Sequence, residues 1–169
     1  MAACSATILL KEIMSSKRLA VVIDANILIA ICTNEQSTHK IASTALDDYD
    51  QRGFTFFAPS VIIAEVLYVL CLKANQNLLT VIEHEKAIRA FVNYLKAINL
   101  PPNGEASLIT RAEEIRRGYG CSRTSDGLYI ALAEQLTASW MVEILTFDNG
   151  YLNQAANNAP SVKVNVLTI

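Results

Sequence analysis

A chain of 169 residues suits a single domain, one able to remove about 70 % of its unfolded surface from water. With 52 % hydrophobic residues and a mean hydropathy of +0.29 it is apolar for that size, so apolar side chains are expected on the surface, for a partner, as well as in the core. A formal net charge of −2 excludes binding of nucleic acid by the overall field alone. A membrane span is excluded too, since no run approaches ~20 apolar residues and the longest, Val61 to Leu72, contains Glu65.

Residues 1–18 read as a leader or flexible N-terminal segment and residues 19–169 as the folded domain. The opening MAACSATILLKEIMSSKR has its positive charge late and its apolar stretch broken by Lys11 and Glu12, which is not the layout of a signal peptide. Cys4, Cys32, Cys71 and Cys121 form no CxxC pair, and without a secretory signal they read as reduced thiols of a cytoplasmic protein. His39 and His84 lie apart with no HExxH pattern, which argues against zinc.

In chain order, Leu19–Ile23 reads as a buried strand and Ala25–Cys32 as the helix that follows it. Ser37–Arg52 is an amphipathic helix with Ile41, Ala45, Leu46 and Tyr49 on one face, ended by Gly53. Phe54–Ala58 is a second strand. Pro59 closes it, and Ser60 stands where it can cap a helix reaching Asn75. Thr80–Asn99 is a long helix, and PPNG at 101–104 is loop punctuation. Helices follow over Glu105–Arg117 and Ser125–Thr137, separated by GYG at 118–120. Val142–Phe147 is a strand, DNG at 148–150 a turn, and Val162–Leu167 a final strand. Strands alternating with helices imply a three-layer α/β/α domain, a parallel sheet flanked by helices.

Ligands of such sheets bind beyond the carboxyl ends of the strands, and four acids fall near strand ends or helix starts. Asp24 follows the first strand and Asp148 the strand VEILTF; Glu65 lies in the second turn of a helix after FTFFA, and Asp126 opens the helix before VEILTF. Asp24 and Asp126 are equally placed to cap helices, and Asp148, in Asp-Asn-Gly, to make a turn. Glu65 is different. It is the sole charge in VIIAEVLYVLCL, and a lone buried carboxylate needs a proton, a partner or a cation. Converging carboxylates repel, and Mg²⁺ or Mn²⁺, which prefer oxygen ligands, relieve that repulsion. Such a cleft can bind a phosphodiester and activate water.

The succession LAVVIDAN, FTFFAPSVIIAEV, SRTSDGLYIALAEQ, VEILTFDNGYL resembles the PIN-domain nucleases, the VapC-like toxins in particular, from about Leu19 to Ile169. The resemblance implies a Mg²⁺- or Mn²⁺-dependent endoribonuclease acting on single-stranded RNA, with Asp24, Glu65, Asp126 and Asp148 at the family's acidic positions. It implies supporting roles for Asn26, Thr124 and Thr146, a small antitoxin protein as partner, and a homodimer using the helix at Thr80–Asn99 as an arm. A start so far ahead of the first strand departs from the family's habit. Arg111, Arg116, Arg117 and Arg123 gather just before Asp126; they read equally as phosphate-positioning groups or as a solvated face balanced by Glu113 and Glu114.

Other readings stand beside this one. A stand-alone PIN nuclease of RNA processing has the same motifs, and a catalytically silent PIN-like binding module would use the apolar excess as a partner surface. A phosphoaspartate phosphatase of the haloacid-dehalogenase type needs a second acid two residues after the first, where this chain has Asn26, so it fits poorly. GYGCSR at 118–123 begins like a dinucleotide fingerprint, but Arg123 replaces the third glycine and no strand precedes it.

Overall fold

The computed structural model describes residues 18–35, 37–121 and 125–169. Within them, strands and helices run β1 (Arg18–Ile23), α1 (Ala25–Cys32), α2 (His39–Gln51), β2 (Thr55–Phe57), α3 (Val61–Asn75), α4 (Val81–Leu95), α5 (Ala106–Gly118), α6 (Asp126–Leu136), β3 (Trp140–Thr146), α7 (Gly150–Asn158) and β4 (Lys163–Val166). Apart from Arg18, the expected leader lies outside the described residues, as do Arg123 and Thr124.

The four strands form one parallel sheet in the order β2-β1-β3-β4. The continuous apolar run of β1 suits its central place, because a strand covered on both faces has no polar side; Ala20, Val21 and Val22 are fully buried. On one side α1 packs against α2, α3 and α4. On the other, α6 lies on β1 and β3, α5 packs on α6, and α7 joins α6 to β4. From β1 the chain moves first to β2 and later to β3 on the opposite flank. The crevice beyond the carboxyl ends of β1 and β3 is therefore the topological switch point, where ligands of open parallel sheets bind.

Several elements differ from the sequence expectations. The sequence reading names no element between the DNG turn and the final strand, where α7 forms. Its residues GYLNQAANN are weak helix formers, and the helix stands on tertiary packing, with Tyr151 and Ala155 buried. α4 ends at Leu95 rather than Asn99, because the backbone of Asn99 bridges to Phe57 at the edge of β2. α4 begins with a full capping box between Thr80 and Glu83. Ser60 occupies the N-cap position of α3 but makes no side-chain cap; its N–H instead donates to Glu105.

α5 and α6 pass so closely that a Cβ built on Gly127 would lie 2.7 Å from the carbonyl oxygen of Ala112. Gly127 is buried beside Asp126, so this contact sets how deeply the start of α6 sits against α5. Gly127→Ala is expected to lower unfolding stability by about 1–3 kcal/mol, read by urea denaturation. Unchanged stability would show that the backbones do not meet as described.

Candidate active site

Asp24 takes the first position after β1. Its N–H donates to the carbonyl of Leu145 at 3.1 Å, extending the β1–β3 pairing that ends with Ile23 opposite Leu145. The residue stands at the N-cap of α1 yet makes no side-chain cap; the carboxylate turns across the crevice to the end of β3. Its Oδ2 accepts from the Thr146 hydroxyl at 2.6 Å and from Asn26 Nδ2 at 2.6 Å. Asn26 also donates to Thr146 Oγ1 at 3.0 Å and accepts from the Phe147 N–H at 3.1 Å. The Asp148 N–H completes the set by donating to Thr146 Oγ1 at 2.9 Å. The Thr146 hydroxyl thus gives one bond and receives two, its full capacity. Asn26 and Thr146, expected as supporting residues, are what hold Asp24 between β1 and β3.

Glu65, on α3, is half-buried and has no arginine partner among the described residues. Its two oxygens accept from the hydroxyls of Ser125 and Tyr129, four residues apart at the start of α6. Asp126, between them in sequence, accepts from Gln154 Nε2 at 2.8 Å. Asp148 is exposed, and its Oδ1 accepts from the Gly150 N–H at 2.7 Å, which is the turn role open to it from sequence. The crevice thus gathers Asp24, Glu65 and Asp126 as interacting charges, with Asp148 on the rim.

Seven of the eleven other acids among the described residues are ion-paired, while Asp47, Asp50, Glu83 and Glu105 form no salt bridge among them. Asp48, Glu35, Glu85, Glu113, Glu114, Glu134 and Glu143 each pair with a lysine or arginine. Asp24, Glu65 and Asp126 receive only hydroxyl, amide and backbone donors among the described residues. Burial pushes the Asp24 carboxyl up from its ordinary 3.8 to about 7; the Thr146 hydroxyl opposes this, and the charges of Glu65 and Asp126 add to it. Glu65 is raised as well, by burial first and then by Asp126, with the Tyr129 bond opposing. Burial and the Glu65 charge keep the Tyr129 phenol protonated, so it is the donor in that bond.

This donor set fits a hard divalent cation. Among the described residues it consists of carboxylate oxygens with no lysine, arginine, thiolate or imidazole bonded to them. Among the described residues no three such side chains stand close enough to enclose an ion by themselves. That suits Mg²⁺ or Mn²⁺, which take one or two carboxylates and complete their shell with water and phosphate.

The arginine cluster divides differently. Arg111 donates to Glu134 of α6, to Glu114 and to the carbonyl of Asn158 at the end of α7, so it clamps three helices together. Arg116 pairs with Glu113. The two are engaged by the protein's own groups, and the balanced-face reading holds for them. A groove of about 460 Å³ between α5 and the start of α6 is lined by Ile109, Ala112, Glu113, Arg116, Ser125, Gly127 and Leu128.

The family model for the PIN domain matches residues 21–157. The chain belongs to the PIN domain family. Two solved structures share the fold of this PIN domain. The crystal structure of FitAcB from Neisseria gonorrhoeae is 16 % identical, with a TM-score of 0.52, over 85 % of this chain and 95 % of that one. PAE2754 from Pyrobaculum aerophilum is 15 % identical, with a TM-score of 0.50, over 86 % of this chain and 83 % of that one. No curated protein matches the sequence. PIN domains are generally nucleases, and the acids described above sit where the fold places its ligands.

Sequence reasoning missed Ser125, Tyr129 and Gln154 as the residues that hold two of these acids. The available signal was a pair of hydroxyl residues four apart flanking Asp126 in SDGLY; Gln154 had none, since its helix was not anticipated. The raised carboxyls also set the pH dependence of this PIN domain. Folding favours protonated Asp24 between 3.8 and about 7, so the folded chain binds more protons than the unfolded one there. Stability from this group falls as pH rises through that window, and Glu65 acts in the same direction. The melting temperature of protein in EDTA should fall by ~5–10 °C from about pH 5 to about pH 8. Asp24→Asn should remove most of that fall, and Mn²⁺ should do the same in the wild type. An Asp24→Asn profile parallel to the wild type in EDTA would contradict the burial account.

Proposed function

We propose that this PIN domain is a Mg²⁺- or Mn²⁺-dependent endoribonuclease of single-stranded RNA, acting in the cytoplasm as the toxin of a VapBC-type toxin–antitoxin pair. The observation that carries the reading is the set of mutually interacting carboxylates of Asp24, Glu65 and Asp126, unpaired with lysine or arginine among the described residues, at the switch point of the sheet. Asp24, Glu65 and Asp126 would hold the ion directly or through water, and Asp148 would complete the set from the rim. A divalent cation, when bound, neutralises these carboxylates and the scissile phosphate and lowers the pKa of attacking water. The chain's own part is orientation: Thr146 and Asn26 aim Asp24, and Ser125 and Tyr129 aim Glu65. The groove beside Asp126 supports a single-stranded substrate, whose unstacked bases can enter an apolar cleft as paired bases cannot. Arg117 and, three residues before Asp126 in sequence, Arg123 are the remaining candidates for phosphate positioning. Hydrolysis would leave 5′-phosphate and 3′-hydroxyl ends, as the resemblance implies.

Purified protein is expected to cleave generic single-stranded RNA in Mn²⁺ or Mg²⁺, and EDTA should abolish the cleavage. Asp24→Asn should reduce the rate by at least ~10²-fold. Cleavage by Asp24→Asn at the wild-type rate would sink the assignment. A well-folded wild type that binds Mn²⁺ without cutting any RNA would favour the silent binding module.

The partner reading is supported by the α3–α4 pair. Ile63, Leu67, Tyr68 and Leu72 on α3 and Val81 and Ile82 on α4 are exposed, Tyr68 at 68 % and Val81 at 77 %. An apolar helix surface of this kind accepts a second copy or an antitoxin peptide laid into a groove. A homodimer is expected by light scattering, and Leu67→Glu with Tyr68→Glu should shift it to monomer while the melting temperature stays within a few degrees. A monomeric wild type at micromolar concentration would overturn the dimer.

A further inference from the structure

The active-site acids differ in how many elements fix them. Asp24 is held from β1, α1 and β3 at once, whereas Glu65 projects from α3 on a side chain with three rotatable bonds. Its position is settled by one opposite helix. The Tyr129 hydroxyl bonds one carboxylate oxygen and the Ser125 hydroxyl the other, and both come from the turn of α6 that bears Asp126.

Tyr129 is well made for such a task. It is fully buried, and its ring meets that of Tyr151 on α7 edge-on, with centroids 6.4 Å apart. A phenol fixed at both ends of its ring places its hydroxyl without rotamer freedom, as a lysine or arginine would not. It also carries no charge. A cationic partner would cancel the Glu65 carboxylate, whereas a hydroxyl orients it and leaves its negative charge for a ligand.

We infer that Tyr129, with Ser125, is a positioning residue: the two hydroxyls tie Glu65 of α3 to the start of α6 and so fix the spacing of Glu65 and Asp126 as a cation site. The inference rests on the nuclease reading above. Tyr129 touches neither substrate nor cation and acts entirely through Glu65. The matching of α3 to α6 then depends on one aromatic side chain that reads, in sequence, as a core residue.

Mn²⁺ titration calorimetry of the full chain tests this, with the near-ultraviolet dichroism and melting temperature of each variant recorded alongside. Tyr129→Phe keeps the ring and removes the hydroxyl; it should weaken Mn²⁺ binding by about 10-fold or more. The loss should vanish when Tyr129→Phe is made in a Glu65→Ala background, because a residue acting through Glu65 has nothing left to position. Ser125→Ala, at the half-exposed helix start, should show the same dependence on Glu65 and serves if Tyr129→Phe does not fold. Unchanged Mn²⁺ affinity in a folded single variant overturns the inference, as does an equal loss with and without Glu65. In either case the nuclease reading stands so long as Asp24→Asn abolishes Mn²⁺ binding. If the wild type binds no Mn²⁺, both fall.

Discussion

The structure depends on keeping negative charge close together where no lysine or arginine among the described residues offsets it. Two carboxylates at short range in a partly dry crevice repel by several kcal/mol, and a soft scaffold would let them drift apart. Here the scaffold is the β1–β3 pairing, continuous from Arg18 opposite Trp140 to Ile23 opposite Leu145. It delivers Asp24 and Thr146 side by side and lets neither move without breaking the centre of the sheet. The full burial of Ala20, Val21, Val22, Ile144 and the last residues of β3 supplies the opposing free energy, at about 1.5–3 kcal/mol for each large apolar side chain.

The helix α6 is the second fixed part, and its start combines four demands in five residues. Ser125 and Tyr129 reach Glu65, Asp126 faces the crevice, and Gly127 allows the close approach to α5. Around it the arginines serve the scaffold: Arg111 joins α5, α6 and the end of α7 through charge-assisted bonds. Lys163 and Tyr49 similarly converge on Glu143, tying β4 and α2 to β3. Much of the positive charge among the described residues is thus placed where helices and strands must be held together. A net charge of −2 offers a polyanion no basic field overall.

How far the sequence reveals this follows from which residues announce themselves. β1 and α1 were legible almost to the residue, because a Val/Ile run and an acid at its end leave few alternatives. The four acids were legible by their position after strands and at helix starts. Glu65 stood out because an isolated charge in an apolar helix needs an explanation. The arrangement around them was not. Tyr129 is indistinguishable from a core aromatic until α3 is seen opposite it. α7, with three asparagines in nine residues, is short and only weakly marked, by Tyr151 and Ala155 one turn apart. Losing that helix also hides Gln154, which holds Asp126, and Tyr151, which braces Tyr129. The limit was physical: propensity and periodicity report local preference, while these partners are set by contacts across the fold.

Burial gives the crevice acids unequal parts. Asp126 and Asp148 are hydrogen-bonded near or at the surface. Asp24 is only 7 % exposed, and its charged form is the one the fold disfavours. On the proposed reading a proton and a divalent cation would be alternative remedies for the same unfavourable burial, so they would compete for the site and cation affinity would rise with pH. Neutral donors would keep that competition open. Had Asp24 or Glu65 been paired with lysine, the charge would be satisfied without a ligand, and the crevice would be a structural ion pair rather than a place for chemistry.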